Sequence, residues 1–353
     1  MGLMRRVIAY PIIVMTEIPA RSKNWVHVRI IRKHRKFTIF GDIPKAPNFA
    51  VLVVFPGTTT FGSVERLSLW LEEAGYSLIL VVNDNLLAEN WISKLKVDGR
   101  TVILRPNIGS DFGAYKLVLE LLEPQKNSIE NLVLANDSMV YSPKSRDTVA
   151  KVVNVTSLDV CTSLFLNMQS VIHAPSMLLK FGKGALGSDA FWQFWHDYYP
   201  YSSKRKVIKQ GEHALTRVIG WKNISPVYSA SKLPRDIEME PDDIFQVARW
   251  ASMTDPSILT VLRAETDAVG QRTLIDFAFE NFHISDSLGL FCSRYFGAPI
   301  KLDLARRGLI TKQSILKLMN EQGFSDNELS ELRRILDQKE SYTTKTLFQR
   351  LFN

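Results

Sequence analysis

Between Ala50 and Leu104, short unbroken apolar runs alternate with longer segments whose apolar residues recur at helical spacing. Ala50–Phe55 is one such run, stopped by Pro56-Gly57. Val64–Ala74 then places Leu67, Trp70 and Leu71 on one face, Ser77–Val82 is a second run, Leu86–Leu95 reads as a helix, and Val102–Leu104 is a third strand. Continuous apolar runs separated by helical segments mark strands buried on both faces of a parallel sheet. The rhythm continues with a helix over Ala114–Leu122, the strand Leu132–Ala135 and a helix near Arg146. Val160–Leu166 and Val171–His173 read as short strands and Pro175–Lys180 as a helix start. Beyond Pro226 the pattern changes to helical runs at Asp242–Ala251, Pro256–Arg263, Thr273–Phe282 and from Thr311, where Ile315, Leu316, Leu318, Met319, Leu329, Leu332 and Leu336 give amphipathic faces. The pattern predicts an α/β fold, a mixed sheet flanked by helices, followed by a mainly helical C-terminal region. Its divisions are 1–48, 49–228 and 229–353.

Polar clusters fall where the strands end. Asn83-Asp84-Asn85 follows the second run, Asn107, Gly109, Ser110, Asp111 and Gly113 follow the third, and Asn136-Asp137-Ser138 follows the fourth. In an open parallel sheet these ends share one edge, where ligands bind. A carboxylate there is able to hold a hard cation against a diphosphate or accept hydrogen bonds from a sugar. The same residue types make ordinary turns and helix caps.

Length and composition fit a globular chain: 353 residues, 46% apolar and 23% charged. Cys161 and Cys292 have neither disulfide-framework nor zinc spacing, which fits a reducing cytoplasm. The net charge of +8 favours anionic partners, with basic clusters at Arg29–Lys36, Lys204–Lys206 and Arg306-Arg307. No zinc, P-loop or RNA-binding signature accompanies that charge, so nucleic acid is not the expected partner. No apolar run is long enough to span a bilayer, and Val7–Met15, interrupted by Pro11, reads as a strand or tucked arm.

The aromatic segment Asp189–Tyr201 puts Phe191, Trp195 and Tyr198 at helical spacing, the mark of a core stripe, although such rings also stack on sugars. Gln210-Gly211-Glu212-His213 opens the helical run Ala214–Ile219. A carboxylate at that point is a candidate general base, with Asp189 and Asp197 as alternatives, and His213 a candidate for phosphate or metal.

The pattern N-x-G-x-D-x-G-x-Y from Asn107 to Tyr115, followed by a strand and Asn136-Asp137-Ser138, resembles the rhamnan synthesis F family of bacterial polysaccharide glycosyltransferases. More distantly the chain looks like the family 2 glycosyltransferases of GT-A fold. Phe191-Trp192, Gly211-Glu212 and Leu215 are similar to further segments of the first family, and the resemblance spans Ala50 to Val227. It implies a GT-A-like, Rossmann-like domain that moves a sugar, rhamnose by the family's name, from a nucleotide diphosphate donor to a glycan or lipid-linked acceptor. It further implies work at the cytoplasmic face of an anionic inner membrane, with inversion as the expected outcome.

By that resemblance Glu212 and Asp137 are the catalytic candidates. Asp84, Asn107, Gly109, Asp111, Tyr115, Asn136, Ser138 and Trp192 are the substrate-binding ones, joined by His213 from its own place beside Glu212, and Asp137 is the ligand for Mg²⁺ or Mn²⁺. A full Asp-x-Asp motif needs a second carboxylate where this sequence has Asn136 or Ser138, which leaves metal dependence open. A non-catalytic carbohydrate-binding or assembly subunit that retains the fold is the alternative.

Overall fold

Three apolar runs become the centre of one sheet because each is flanked on both faces by helices. The computed structural model describes residues 36–96, 99–155, 161–167, 171–201, 203–229, 232, 276, 287–306 and 310–337. The strands are β1 (Thr38–Phe40), β2 (Asn48–Val54), β3 (Ser77–Asn83), β4 (Thr101–Arg105), β5 (Asn131–Asn136), β6 (Met139–Val140), β7 (Cys161–Ser163), β8 (Leu178–Phe181), β9 (Ile224–Pro226) and β10 (Ile300–Lys301). Eight of them form a single sheet in the order β1-β4-β3-β2-β5-β8-β7-β9. β4, β3, β2 and β5 run parallel, while β1 and β8 close on them antiparallel and β9 lies parallel to β7. This is a mixed α/β sheet flanked by helices.

Alternate residues of each strand feed two cores. Ala50, Leu52 and Val54 of β2 face one side with α1 (Phe61–Glu73), α2 (Ala88–Leu95) and α4 (Arg146–Val153). Phe49, Val51 and Val53 face the other with α3 (Ser110–Leu122) and α5 (Asp189–Asp197). Each fully buried Val or Leu contributes roughly 1.5–3 kcal/mol. The helix of Glu212 is assembled from a turn at Lys204–Val207, a wide π turn at Ile208–Glu212 and α6 (His213–Ile219).

A third core gathers Val140 of β6 with Ile300, Leu302 and Leu304 and with α8 (Lys312–Glu321) and residues 326–337, where Leu332, Ile335 and Leu336 are buried. It is joined to α1 through Arg66, whose guanidinium donates to the Tyr141 carbonyl at 2.9 and 3.0 Å and lies 4.7 Å from the Phe324 ring centre. α7 (Ser287–Phe296) buries Phe291 and Cys292 in the first core.

Several expected elements differ. Pro175–Lys180 does not start a helix: Leu178–Phe181 is β8, inserted between β5 and β7, where sheet pairing and burial of alternate faces outweigh the helical propensity of Leu and Lys. His173 makes only an isolated bridge with Asn167. The helix placed at Ala114 begins at Ser110, and the one placed at Ala214 begins at Lys204, so the basic cluster Lys204–Lys206 forms a helical turn. The basic stretch up to Arg35, Val7–Met15, Arg307 and the runs at 242–251 and 256–263 lie outside the described residues, as does 273–282 apart from Asp276. Among the described residues no helix is long and apolar enough to cross a membrane.

Candidate functional site

The order of the parallel strands reverses between β2 and β5, since β3 and β4 lie to one side of β2 and β5 to the other. A crevice opens at the carboxyl ends of strands at such a switch point. Asp137 stands there, directly after β5. Its Oδ2 accepts from the Phe55 N–H at 2.7 Å and from the Thr58 hydroxyl at 2.9 Å, tying together the loops that follow β2 and β5. Gly57, at φ +86°, permits the turn that brings Thr58 back. Burial pushes the Asp137 carboxyl up to about 7, opposed by the Phe55 N–H and the Thr58 hydroxyl and aided by the charge of Asp111.

The loop after β4 is shaped by a buried cation. Arg105, fully buried, donates to Asn83 Oδ1 and to the Ser110 carbonyl at 3.2 Å each, and also to the Ile108 carbonyl. Burial lowers its pKa to about 10. Gly109 and Ser110 follow with φ of +78° and +53°, and the chain then enters α3 with Asp111 in its first turn. Asp111 Oδ1 accepts from the Phe112 N–H at 3.1 Å. Its Oδ2 accepts from Asn136 Nδ2 at 2.9 Å and lies 2.7 Å from Ser176 Oγ. Burial raises its pKa, with Ser176 opposing and Glu212 adding to the rise.

Glu212 arrives from the third direction. It closes the π turn, a helical irregularity common at functional sites, beside Gly211, where an added Cβ would meet the Phe112 ring at 2.9 Å. Glu212 Oε1 accepts from the Ser176 N–H at 2.9 Å and lies 2.9 Å from Ser176 Oγ, while Oε2 is 3.7 Å from His173 Nε2. His173 Nδ1 lies 2.8 Å from the Val171 carbonyl, to which it donates, and this orientation turns Nε2 toward Glu212. The His213 ring stands 4.4 Å from that of His173, and its pKa is lowered by burial and then by His173.

The structure therefore brings Asp111, Asn136 and Glu212 together at one sheet edge, with Asp137 beside them. It places the other candidates differently. Ser138 is exposed and its N–H donates to Asn136 Oδ1 at 3.0 Å, a turn contact. Asp84 and Asn107 are exposed at the ends of β3 and β4. Gly109 packs against Pro200. Tyr115 is buried and its hydroxyl donates to the Ser176 carbonyl at 3.1 Å; Trp192 is buried and its Nε1 donates to the Leu186 carbonyl at 2.6 Å. Asp189 and Asp197 are exposed on α5. Among the described residues no three His, Cys, Asp or Glu side chains form a metal-binding group.

Two participants escaped the sequence reading. Ser176 holds Asp111 and Glu212 from either side of its hydroxyl. Lys301, on β10, has Glu212 and Asp111 among the charges that act on it. Neither carries a motif, and only the pairing of β8 with β5 and of β10 with β6 brings them here.

No protein-family model matches the chain. It is 27% identical over 207 residues to an uncharacterized protein, y4gN, of Sinorhizobium fredii (strain NBRC 101917 / NGR234), a match covering 56% of this chain and 51% of that one. The chain thus spans about half the length of this curated relative. Among solved structures it is similar to a mannosyltransferase, PcManGT from Pyrobaculum calidifontis in complex with GDP-Man and Mn²⁺, at 11% identity and a TM-score of 0.31, over 92% of this chain and 94% of that one.

Proposed function

We propose that the protein is a glycosyltransferase that moves a sugar from a nucleotide diphosphate donor to a hydroxyl of a glycan or lipid-linked acceptor. One observation carries the reading: Asp111, Asp137 and Glu212, far apart in sequence, meet at the carboxyl ends of parallel strands at the switch point between β2 and β5. The likeness of Asn107–Tyr115 and Asn136–Ser138 to polysaccharide glycosyltransferases supplies the reaction class. In this reading Glu212 takes the acceptor proton as the acceptor oxygen bonds to the anomeric carbon. The bond from that carbon to the diphosphate breaks with its electron pair on the departing oxygen. Attack opposite the leaving group inverts the anomeric centre. In this reading Asp84 and the loop after Phe55 take the nucleoside, and Asn107 the donor's polar groups.

The single carboxylate of Asp137 fits a Mg²⁺ or Mn²⁺ shared with substrate phosphates better than one held by protein alone, because such ions take one or two carboxylates and complete their shell with phosphate and water. The ion would supply positive charge to the departing diphosphate. Rhamnose as the sugar, a bacterial surface polysaccharide as the product and a cytoplasmic position at the inner membrane face belong to the same proposal and rest on the sequence resemblance.

A second reading has its own observation: Asp137 Oδ2 is already engaged by Phe55 and Thr58, as in a loop staple, which suits a subunit that keeps the fold without turnover. One experiment separates the two. The purified chain is offered dTDP-rhamnose, UDP-galactose, UDP-glucose and GDP-mannose with and without Mg²⁺ or Mn²⁺, beside Asp137→Ala and Glu212→Gln. Donor binding and hydrolysis lost in the variants establishes transfer. A folded protein silent toward every donor leaves the non-catalytic subunit.

A further inference from the structure

β10 carries a lysine to the carboxylates from the far end of the chain. Ile300 and Lys301 pair with Val140 and Met139, and Met139 follows Asp137 by two residues. Ile300 is fully buried in the third core, and because successive side chains of a strand point to opposite faces, Lys301 is turned away from that core. Two residues further on, Asp303 meets Lys204, the first residue of the helical segment that bears Glu212, at 3.4 Å. Residues 300–303 are thus held at two points, one beside Asp137 and one on the helix of Glu212. Lys301 is partly buried. Burial lowers its pKa, and Glu212 and Asp111 are among the charges that oppose this. Among the described residues no hydrogen bond or ion pair engages its ammonium group. A partly buried cation without such a partner costs stability that a bound anion would restore.

We propose that Lys301 receives the diphosphate of the ligand and so completes the site from the C-terminal region. The inference rests on the nucleotide-sugar reading above and deepens it. Asp111, Asp137 and Glu212 together would repel a polyanion, so a site that admits a diphosphate among them needs a cation of its own. An ammonium on a flexible stem suits a phosphate as a point charge. The diphosphate belongs either to a nucleotide donor or to a lipid-linked acceptor, and the chemistry at Lys301 is the same for both.

The test is equilibrium binding to the whole chain of dTDP, UDP and GDP, of the corresponding nucleosides and of farnesyl diphosphate. Wild type is compared with Lys301→Met and Lys301→Gln, each variant checked by thermal melting. Replacing the ammonium is expected to weaken diphosphate binding by about tenfold or more while nucleoside binding stays unchanged, a split that a purely structural lysine would not produce. A loss confined to the nucleoside diphosphates assigns Lys301 to the donor, and one confined to farnesyl diphosphate assigns it to the acceptor. If wild type and both variants bind diphosphates equally, the role of Lys301 is overturned and the nucleotide-sugar reading survives. If wild type binds none of these ligands, both are overturned.

Discussion

Asp111 and Glu212 face each other across one hydroxyl: Ser176 Oγ lies 2.7 Å from Asp111 Oδ2 and 2.9 Å from Glu212 Oε1. A hydroxyl has a single hydrogen to donate, so it serves one carboxylate at a time. When both are ionised, the other carboxylate oxygen faces a lone pair. Burial and the charge of Glu212 both raise the Asp111 pKa, which favours a proton within the group. The arrangement fixes two acidic side chains that the sequence separates by about a hundred positions.

Ser176→Ala is therefore expected to destabilise the fold by about 1 kcal/mol, the net worth of one hydrogen bond, since Asn136 Nδ2 still donates to Asp111 Oδ2 and the residue 176 N–H to Glu212 Oε1. Because the hydroxyl favours ionised Asp111, its loss matters most where that carboxyl is ionised. The penalty should grow as pH rises through the titration of Asp111, which burial moves above the ordinary carboxylate range. Urea denaturation of both proteins across a pH series checks this; a penalty independent of pH would show that the hydroxyl is not coupled to the titration of Asp111.

Asp137 gives a second pH dependence, and its sign follows from a folded-state pKa near 7 against an ordinary value of 3.8. A group whose pKa is raised on folding contributes stability that is full below the unfolded value and is lost as pH rises through the folded one. Asp137→Asn keeps an acceptor for Phe55 N–H and has no charge to bury. In chelator-treated protein its stability relative to wild type should increase by more than about 1 kcal/mol between about pH 5 and about pH 8. Paired thermal melts across that range measure the difference, and a flat difference contradicts the burial argument.

The sheet was legible because its central strands are buried on both faces and so appear as unbroken apolar runs, as in Ala50–Phe55 and Leu132–Ala135. The site was legible in part for a related reason: polar residues directly after such runs, Asp111 and Asp137 among them, have little room except at the sheet's carboxyl edge. Glu212 was picked out as a carboxylate opening a helical run and through the family resemblance, neither of which shows that it meets Asp111. Ser176 and Lys301 were not legible, since each depends on which strand pairs with which. Leu-Leu-Lys-Phe, the sequence of β8, carries no local mark of a strand and becomes one between β5 and β7. Trp192 and Tyr115 were read as ligand contacts by the family resemblance, and their hydrogen bonds to buried carbonyls show that the same polar tips also satisfy a core.

Trp192→Phe should separate those two uses of the indole. It removes the 2.6 Å hydrogen bond from Nε1 to the Leu186 carbonyl and keeps an aromatic ring in the core. The expected effect is a stability loss of about 1–2 kcal/mol by urea denaturation. Affinity for nucleotide sugars should be unchanged in a direct binding titration. A matching fall in donor affinity would restore Trp192 to the ligand site.

Gly109 is the strongest case for a glycine required by conformation rather than by chemistry, since two constraints act on it at once. Its φ of +78° lies in the left-handed region, and a Cβ would come within 2.6 Å of Pro200 Cβ and 2.8 Å of its Cα. The Pro200 atoms in the way are backbone and ring, which have little freedom to withdraw. Gly109→Ala should therefore cost more than the roughly 1 kcal/mol of the backbone effect alone. It should also displace the loop that leads into Asp111, lowering donor affinity together with stability. Gly75 provides the control, because its φ of +83° is nearly the same while an added Cβ there meets nothing within 4 Å. Gly75→Ala should show only the backbone cost and no change in donor binding. Equal losses for the two variants in denaturation and binding would mean that contact with Pro200 does not shape the loop.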